Sequence, residues 1–469
     1  MKENYNKDVI AMKRFIDREF EMRALEKEYA KETASFVIVY GRRRVGKTTL
    51  LSEFAKNKRT IYFLATQESE AVNRNIFKEK AAEALHNELL SDAVIDKWDT
   101  IFKAIASNNM GEKIVVIIDE FQYLGKTNPA FPSVFQKIWD EILKESNMML
   151  ILCGSLISMM VSQTLAYSSP LYGRRTTQIR MKQIPFRYYH EFCKDLSLKE
   201  QIERYAVTGG VPKYIESFSD SDDIFTGIAD NILDLSGYLY EEPYFLLQQE
   251  VSELGSYFSV LRAIAFGNRK LADMASAIGV KATDLTRTLK TLIDLDLVER
   301  EVPVTEKNPE KSKKGLYRIK DNYIQFWFTF IYPNQSDIER GNTEYVMEKI
   351  KKSFVRNHVA FIYEDICREL LLQNKQLPYH FSKIGRYWDK NTEIDIVAVN
   401  EEEKVILFGE CKYWSNCVDV DVFYDLAEKS KKVSWNGEDR KEIFALFSIN
   451  GYTQEVQWLA KERGDLILM

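Results

Sequence analysis

Over the first two hundred residues, short apolar runs alternate with stretches in which apolar and charged positions mix at helical spacing. Four runs are rich in Val and Ile and almost unbroken by polar residues: 36–40, 60–64, 114–118 and 149–153. A strand with one face in water alternates apolar and polar, whereas a strand buried on both faces stays apolar throughout. Runs of the second kind, separated by amphipathic helices, predict a parallel sheet covered on both sides. The expected fold class is therefore α/β over residues 1–205. After Thr208-Gly209-Gly210-Val211-Pro212 the strand-like runs cease, and 206–250 reads as a helical lid or connector. Residues 269–278 place Leu271, Met274, Ala275 and Ile278 along one helix face, and Gly279 breaks the pattern. Leu285, Leu289, Leu292 and Ile293 then fall at i, i+4, i+7 and i+8 of a second helix. Strands over 297–302 and 316–319, joined by a lysine-rich loop at 307–314, complete a winged helix-turn-helix within 251–335. The aromatic run holding Phe326, Trp327, Phe328, Phe330 and Tyr332 reads as core rather than a ligand cage. Residues 333–343 read as a polar linker. The last stretch, 344–469, predicts a helix, a β-hairpin (394–399 and 405–414) and a return to α/β alternation.

Composition narrows the picture. A chain of 469 residues is long enough for about three domains. With 45% hydrophobic and 29% charged residues it has the makeup of a globular protein. The first residues are charged throughout, unlike a secretory leader. The longest apolar stretch, 148–161, is interrupted by Gly154 and Ser155 and falls short of the roughly 18 residues a membrane span needs. A cytoplasmic protein without membrane contact is expected. The five cysteines (Cys153, Cys193, Cys367, Cys411, Cys417) form no CxxC pair, so reduced thiols are expected rather than a disulfide framework or zinc site. Four dispersed histidines offer no catalytic triad. A net charge of −5 gives no overall attraction to nucleic acid, so contact with DNA must come from local basic patches.

One segment carries specific chemistry. Gly41-Arg42-Arg43-Arg44-Val45-Gly46-Lys47-Thr48-Thr49 has the Walker A spacing, follows the run 36–40 and opens a helix-compatible stretch. In that context the glycines turn backbone N–H groups around phosphates, and the helix N-terminus adds its dipole. Lys47 is expected at the β- and γ-phosphates and Thr48 on Mg²⁺. Run 114–118 ends in Asp119-Glu120, two acids that are costly at the end of a buried strand unless an ion or hydrogen bonds receive them. Asp119 is the expected Mg²⁺ partner, and Glu120 the group that polarises the attacking water. Ser155, at the end of the next run, is placed to sense the γ-phosphate. Arg174, with Arg175 beside it, is a candidate arginine finger, acting in cis or from a neighbouring subunit of a homo-oligomer. No NKxD guanine signature follows, so ATP is preferred over GTP.

The segments GRRRVGKTTLL, IIDEFQYL, CGS, LYGRR, TGGVPKY and FWFTF, in that order, resemble the archaeal-type ATPase family, which is related to the AAA-plus and STAND classes. The resemblance spans essentially the whole chain. It implies a P-loop ATPase, a winged helix and a C-terminal domain of unknown function similar to PD-(D/E)XK nucleases. The residues of 344–469 suit that expectation. Asp395 lies on one strand of the predicted hairpin, and Glu410 and Lys412, two apart, share a face of the other. Folding about residue 402 sets Asp395 opposite the neighbourhood of Glu410. Facing carboxylates repel unless a cation such as Mg²⁺ relieves them, and a lysine beside them can orient water. Glu364, on the preceding helix one turn from Phe361 and Cys367, is the candidate third metal ligand. On the winged helix, Thr283, Arg287 and Lys290 of the second helix and Lys307, Lys311, Lys313 and Lys314 of the hairpin loop are candidate phosphate contacts. Two functions follow: an ATPase whose nucleotide state governs a DNA-directed nuclease domain, or a STAND-like ATP-dependent switch whose C-terminal domain binds without cutting. Beyond the Walker pair, no helicase motif set is present.

Overall fold

A computed structural model describes residues 15–108, 111–375 and 377–469. The chain divides into two compact units between Ile184 and Pro185.

The first unit is built on a five-stranded sheet of β1 (Ser35–Tyr40), β2 (Thr60–Leu64), β3 (Ile114–Asp119), β4 (Met148–Gly154) and β5 (Thr177–Arg180), in the order β2-β3-β4-β1-β5. Every pairing is parallel. β1, β3 and β4 are buried along their whole lengths, which is why their sequences show no alternation. One face packs Val37, Val39, Ile117 and Ile151 against Leu50 and Phe54 of the helix Lys47–Ala55. On the other side Phe63, Phe77, Trp98, Phe102, Phe121, Phe131 and Phe135 form a chain of ring contacts. The fifth strand, Thr-Gln-Ile-Arg, was not among the expected runs. Only Ile179 of it is buried, so no apolar run marks it.

The second unit begins with helices. Leu271–Ile278 and Ala282–Asp294 flank Gly279, and β6 (Val298–Glu301) pairs antiparallel with β7 (Leu316–Ile319). Leu285, Leu289 and Leu292 are buried, but Ile293, expected on the same face, is 36% exposed. The apolar stripe is thus narrower than its spacing suggested. The aromatic run is core: Trp327 is fully buried, edge-on to Tyr244 and Phe258, and its indole N–H donates to the Tyr240 carbonyl at 2.8 Å. Residues 333–343 are not an open linker, for they include the helix Gln335–Glu339 with Ile338 buried. One apolar anchor in a polar stretch is enough to hold a short helix against its neighbours.

A second five-stranded sheet follows, in the order β12-β11-β10-β9-β8. It comprises β8 (Lys383–Trp388), β9 (Glu393–Asn400), β10 (Val405–Lys412), β11 (Lys441–Ser448) and β12 (Leu466–Leu468). The hairpin pairs β8, β9 and β10 antiparallel, and β11 and β12 add in parallel. Ile394, Val397, Ile406, Phe408, Phe444 and Leu446 form its core with Phe423 and Leu426 of the helix Val420–Ser430. All five cysteines are free thiols. Among the described residues no helix is long and apolar enough to cross a membrane.

Candidate functional site

The loop between β1 and Lys47–Ala55 lies at the carboxyl end of the sheet, where the strands of a parallel sheet leave room for ligand. Gly41 runs so close to β5 that a Cβ there would stand 2.4 Å from the Met181 carbonyl oxygen. Arg44 takes a left-handed backbone conformation, with φ +67°. The loop is braced from outside by Arg18, which donates to the carbonyls of Val45 and Lys182 at 2.9 and 3.0 Å. Within it Arg42 and Val45 are buried, and Arg43 donates to the Tyr123 hydroxyl at 3.0 Å. Lys47 is 6% exposed and its ammonium donates to the carbonyls of Gly41 and Arg42 at 2.8 and 2.7 Å. Burial holds its pKa below the ordinary lysine range, opposed by the nearby carboxylates of Glu120 and Asp119. Thr48 and Thr49 occupy the first turn of the helix.

Asp119 and Glu120 sit where β3 ends. Asp119 accepts from the Thr48 hydroxyl at 3.2 Å and from Tyr62 at 2.6 Å. Thr48 and Asp119, expected around one Mg²⁺ from positions 71 residues apart, are therefore brought together. They fit a hard cation, since both offer oxygen and they already share a proton between them. Glu120 has φ +55°, an uncommon conformation for a side-chain-bearing residue. Its carboxylate accepts from the Ser155 hydroxyl at 2.8 Å and from the Gln122 amide. Ser155 therefore touches Glu120, as an end-of-strand polar group in the neighbouring strand should. Gln122 and Tyr62 escaped sequence reasoning: glutamine beside a Walker B pair has no diagnostic spacing, and Tyr62 lies inside an apolar run.

Arg174 is elsewhere. In the parallel register Thr177 stands opposite Val37 and Arg180 opposite Tyr40, so residues 174 and 175 precede the strand at its amino end. The loop 41–46 leaves from the opposite end. Arg174 is moreover paired with Asp140, Nε to Oδ1 at 2.9 Å and Nη2 to Oδ2 at 2.7 Å. An arginine finger acting in cis is thus corrected by strand register; only action on another subunit remains compatible with that position.

In the second unit the hairpin register brings the predicted acids together. Ile396 pairs with Gly409, so Asp395 falls opposite Glu410, and the Cys411 N–H donates to Asp395 Oδ2 at 2.9 Å. Glu410 is buried, and two lysines hold it: Lys412 at 2.8 Å and Lys429, from the helix Val420–Ser430, at 3.1 Å. Lys429 lies outside the E-x-K triplet and had no sequence signal. Burial disfavours the Lys412 ammonium, but Glu410 overrides it and raises the pKa. Glu364 lies on the helix Ala360–Gln373, with Cys367 buried one turn on, whereas Phe361 is 50% exposed and belongs to another face. Burial first, and then the charge of Asp395, pushes Glu364 up to about 8. Burial and Glu410 push Asp395 up to about 6. Arg386 and Arg368 stand 3.5 and 3.9 Å from the Glu364 carboxylate.

Among the described residues, no three His, Cys, Asp or Glu side chains are grouped tightly enough to hold a metal ion as they stand. Asp395 thus faces Glu410 and its charge acts on Glu364, but the three carboxylates do not form a cage. Their mutual repulsion is the donor chemistry a divalent cation would relieve.

The geometry defines a P-loop nucleotide-binding domain followed by a second unit with its own acidic site. Residues 15–218 match the family described as an ATPase domain predominantly from Archaea, and residues 327–429 match one described as archaeal and bacterial proteins of unknown function. An uncharacterized protein of Methanocaldococcus jannaschii is 37% identical over 460 residues, covering 97% of this chain and 98% of that protein. A second from the same organism is 24% identical over 268 residues, 56% of this chain and 48% of that protein. A Walker-type ATPase of Pyrococcus abyssi is similar in structure, with TM-score 0.49 and 18% identity over 67% of this chain and 95% of its own. The Aeropyrum pernix ORC2 protein, in ADPNP and ADP complexes, has TM-score 0.44 and 14% identity over 72% of this chain and 98% of its own. The chain belongs to the archaeal-type P-loop ATPase family that joins this ATPase domain to the C-terminal domain of unknown function.

Proposed function

We propose that the chain is a Mg²⁺-dependent ATP hydrolase whose nucleotide state controls a C-terminal, nuclease-like domain acting on DNA. The observation that carries the first half is the convergence of Lys47, Thr48, Asp119, Glu120 and Ser155 at one end of the sheet. Lys47 gives up its contacts with the Gly41 and Arg42 carbonyls to meet the β- and γ-phosphates. Thr48 and Asp119 are the residues that would hold Mg²⁺, whose chemistry there would be to offset negative charge on the phosphates. Glu120, released from Gln122 and Ser155, orients the attacking water.

The second half rests on Asp395 facing Glu410, with Lys412 at 2.8 Å from that carboxylate. Asp395 and Glu410, joined by Glu364, would hold a divalent cation whose chemistry is to polarise a phosphodiester and lower the pKa of water. Lys412 then stabilises the charge that accumulates on the phosphate. The exposed Thr283, Arg287 and Lys290, with Lys307, Lys311, Lys313 and Lys314, supply a basic approach of the winged-helix type. A non-cleaving switch has one observation in its favour: Glu410 is neutralised by two lysines, as a binding module would tolerate.

Full-length protein incubated with ATP, Mg²⁺ and labelled DNA or RNA separates these readings. The proposal expects phosphate release that is lost in Lys47→Ala, and strand cleavage that is lost in both Glu410→Ala and Lys412→Ala. Cleavage surviving in both variants refutes the nuclease assignment. Nucleotide-dependent changes of oligomeric state without any cleavage favour the switch.

A further inference from the structure

Beside the acidic site of the second unit stands an aromatic side chain that neither the fold nor the proposed chemistry uses. Trp414 is 49% exposed, while its neighbour Tyr413 is buried with its ring 5.3 Å from that of Tyr363. The Lys412 ammonium lies 5.0 Å from the centroid of the Trp414 ring and 2.8 Å from Glu410. The indole is thus separated from the carboxylate by a single ammonium group. Its mount is fixed. The Trp414 carbonyl accepts from the Asn450 amide, Cys417 donates its thiol to the Asn450 carbonyl at 3.3 Å, and Val418 N–H donates to Gly451 at 2.9 Å. The exposed ring therefore belongs to a pinned turn and not to a loose end.

Exposed apolar side chains scattered singly are ordinary. This one differs in its neighbours. A lysine that meets a phosphate sits directly beside a flat ring, and a nucleotide offers the matching pair, an anion and a π-face one sugar apart. In a continuous duplex both faces of every internal base are covered by stacking, so the ring has nothing to receive. An unpaired base has a free face.

We propose that Trp414 is a base-stacking platform, and that the Glu410–Lys412 site consequently takes single-stranded nucleic acid in preference to continuous duplex. This rests on the nuclease-like reading of the site and names its substrate class. Stacking is indifferent to the sugar, so both DNA and RNA strands carry the required chemistry.

The test uses full-length protein, with EDTA present to suppress turnover, and fluorescein-labelled oligothymidylate, oligouridylate and blunt DNA duplex. Wild type binds the single strands more tightly than the duplex, and strand binding quenches tryptophan fluorescence. Trp414→Ala weakens single-strand binding about five- to a hundredfold, the range seen for loss of one base–aromatic stack. Duplex affinity stays unchanged in that variant. Trp414→Phe recovers most of the loss, which a merely structural defect would not allow. Trp458→Ala, which removes a tryptophan 62% exposed on the helix Gln454–Arg463, changes nothing. Oligothymidylate bound without oligouridylate restricts the platform to DNA, and the reverse restricts it to RNA. Wild-type single-strand affinity in Trp414→Ala, or an equal fall for duplex, overturns the proposal, as does a wild type that binds no single strand. A parallel incubation with Mg²⁺ or Mn²⁺ keeps the two ideas apart. Trp414-dependent binding with no cleavage refutes the nuclease reading and supports the platform, whereas Glu410-dependent cleavage untouched by Trp414→Ala does the reverse.

Discussion

Gly154 is the residue whose replacement tests the nucleotide site most sharply without touching a proposed catalytic group. It ends β4, beside Ser155. A Cβ built there stands 2.2 Å from Gln122 Oε1 and 2.3 and 2.5 Å from the Sδ and Cγ of Met160. Gln122 and Met160 are both fully buried, so neither can swing into solvent. The contact must open by about 1 Å to reach ordinary van der Waals separation. Overpacking of this kind costs about 2 kcal/mol in a close-packed interior, and in a unit of this size each kcal/mol lowers Tm by about 2–4 °C. Gly154→Ala should therefore lower the unfolding midpoint by about 4–8 °C. The functional consequence is more specific. Gln122 is bound to Glu120, so its displacement shifts the carboxylate proposed to orient water. A misplacement of about 1 Å costs on the order of a hundredfold in turnover. The loop 41–46 is untouched, so ATP affinity should change by less than about twofold. The assays are differential scanning fluorimetry, fluorescent-nucleotide titration and steady-state phosphate release. A variant with wild-type Tm and turnover would refute the packing argument. A variant that loses ATP affinity together with turnover would show that the strand end supports the phosphate loop itself, contrary to the placement of Gln122 and Glu120 described above.

Other expectations follow from the same contacts. Tyr62→Phe removes the 2.6 Å hydrogen bond to Asp119; it should weaken Mg²⁺-dependent ATP turnover while leaving metal-free nucleotide binding intact, as measured by titration with and without EDTA. Arg386→Met leaves Glu364, Glu393 and Glu301 short of a partner. Breaking a buried pair in this way costs about 3 kcal/mol, read as a lower urea midpoint, and the loss should deepen above about pH 8, where Glu364 can no longer escape by holding its proton. The pH dependence of the parent has a definite sign. Glu364 in the folded chain holds its proton up to about 8, against an ordinary value of 4.5, and Asp395 up to about 6, against 3.8. Between those limits the folded state binds more protons, so their contribution to stability is complete at low pH and is lost as pH rises toward 8. Glu364→Gln should flatten that slope in thermal unfolding across the window, and an unchanged slope would refute the assignment. Finally, Arg174→Ala should leave turnover of dilute protein unaltered, since the residue lies at the far end of the sheet; a loss that appears only at high protein concentration would instead reveal a finger supplied between subunits.

What the sequence determined by itself was everything that repeats or is contiguous. Burial on both faces writes unbroken apolar runs, so β1, β3 and β4 were legible at once, and the loop that follows β1 has its chemistry in consecutive residues. The hairpin that sets Asp395 opposite Glu410 was legible too, since antiparallel register is fixed by a short turn. Tertiary structure decided whatever depends on partners distant in the chain. β5 carries no apolar run, because the fold buries only its Ile179. Arg174 looked available until strand register placed it at the amino end and Asp140 took its charge. Lys429 joins Glu410 from 19 residues away, Gln122 meets Glu120 because Gly154 leaves it room, and Arg386 connects Glu301, Glu364 and Glu393 across three elements. Such contacts are sums of long-range packing, in which each side chain's role is set by what the fold brings to it, and no local spacing records them.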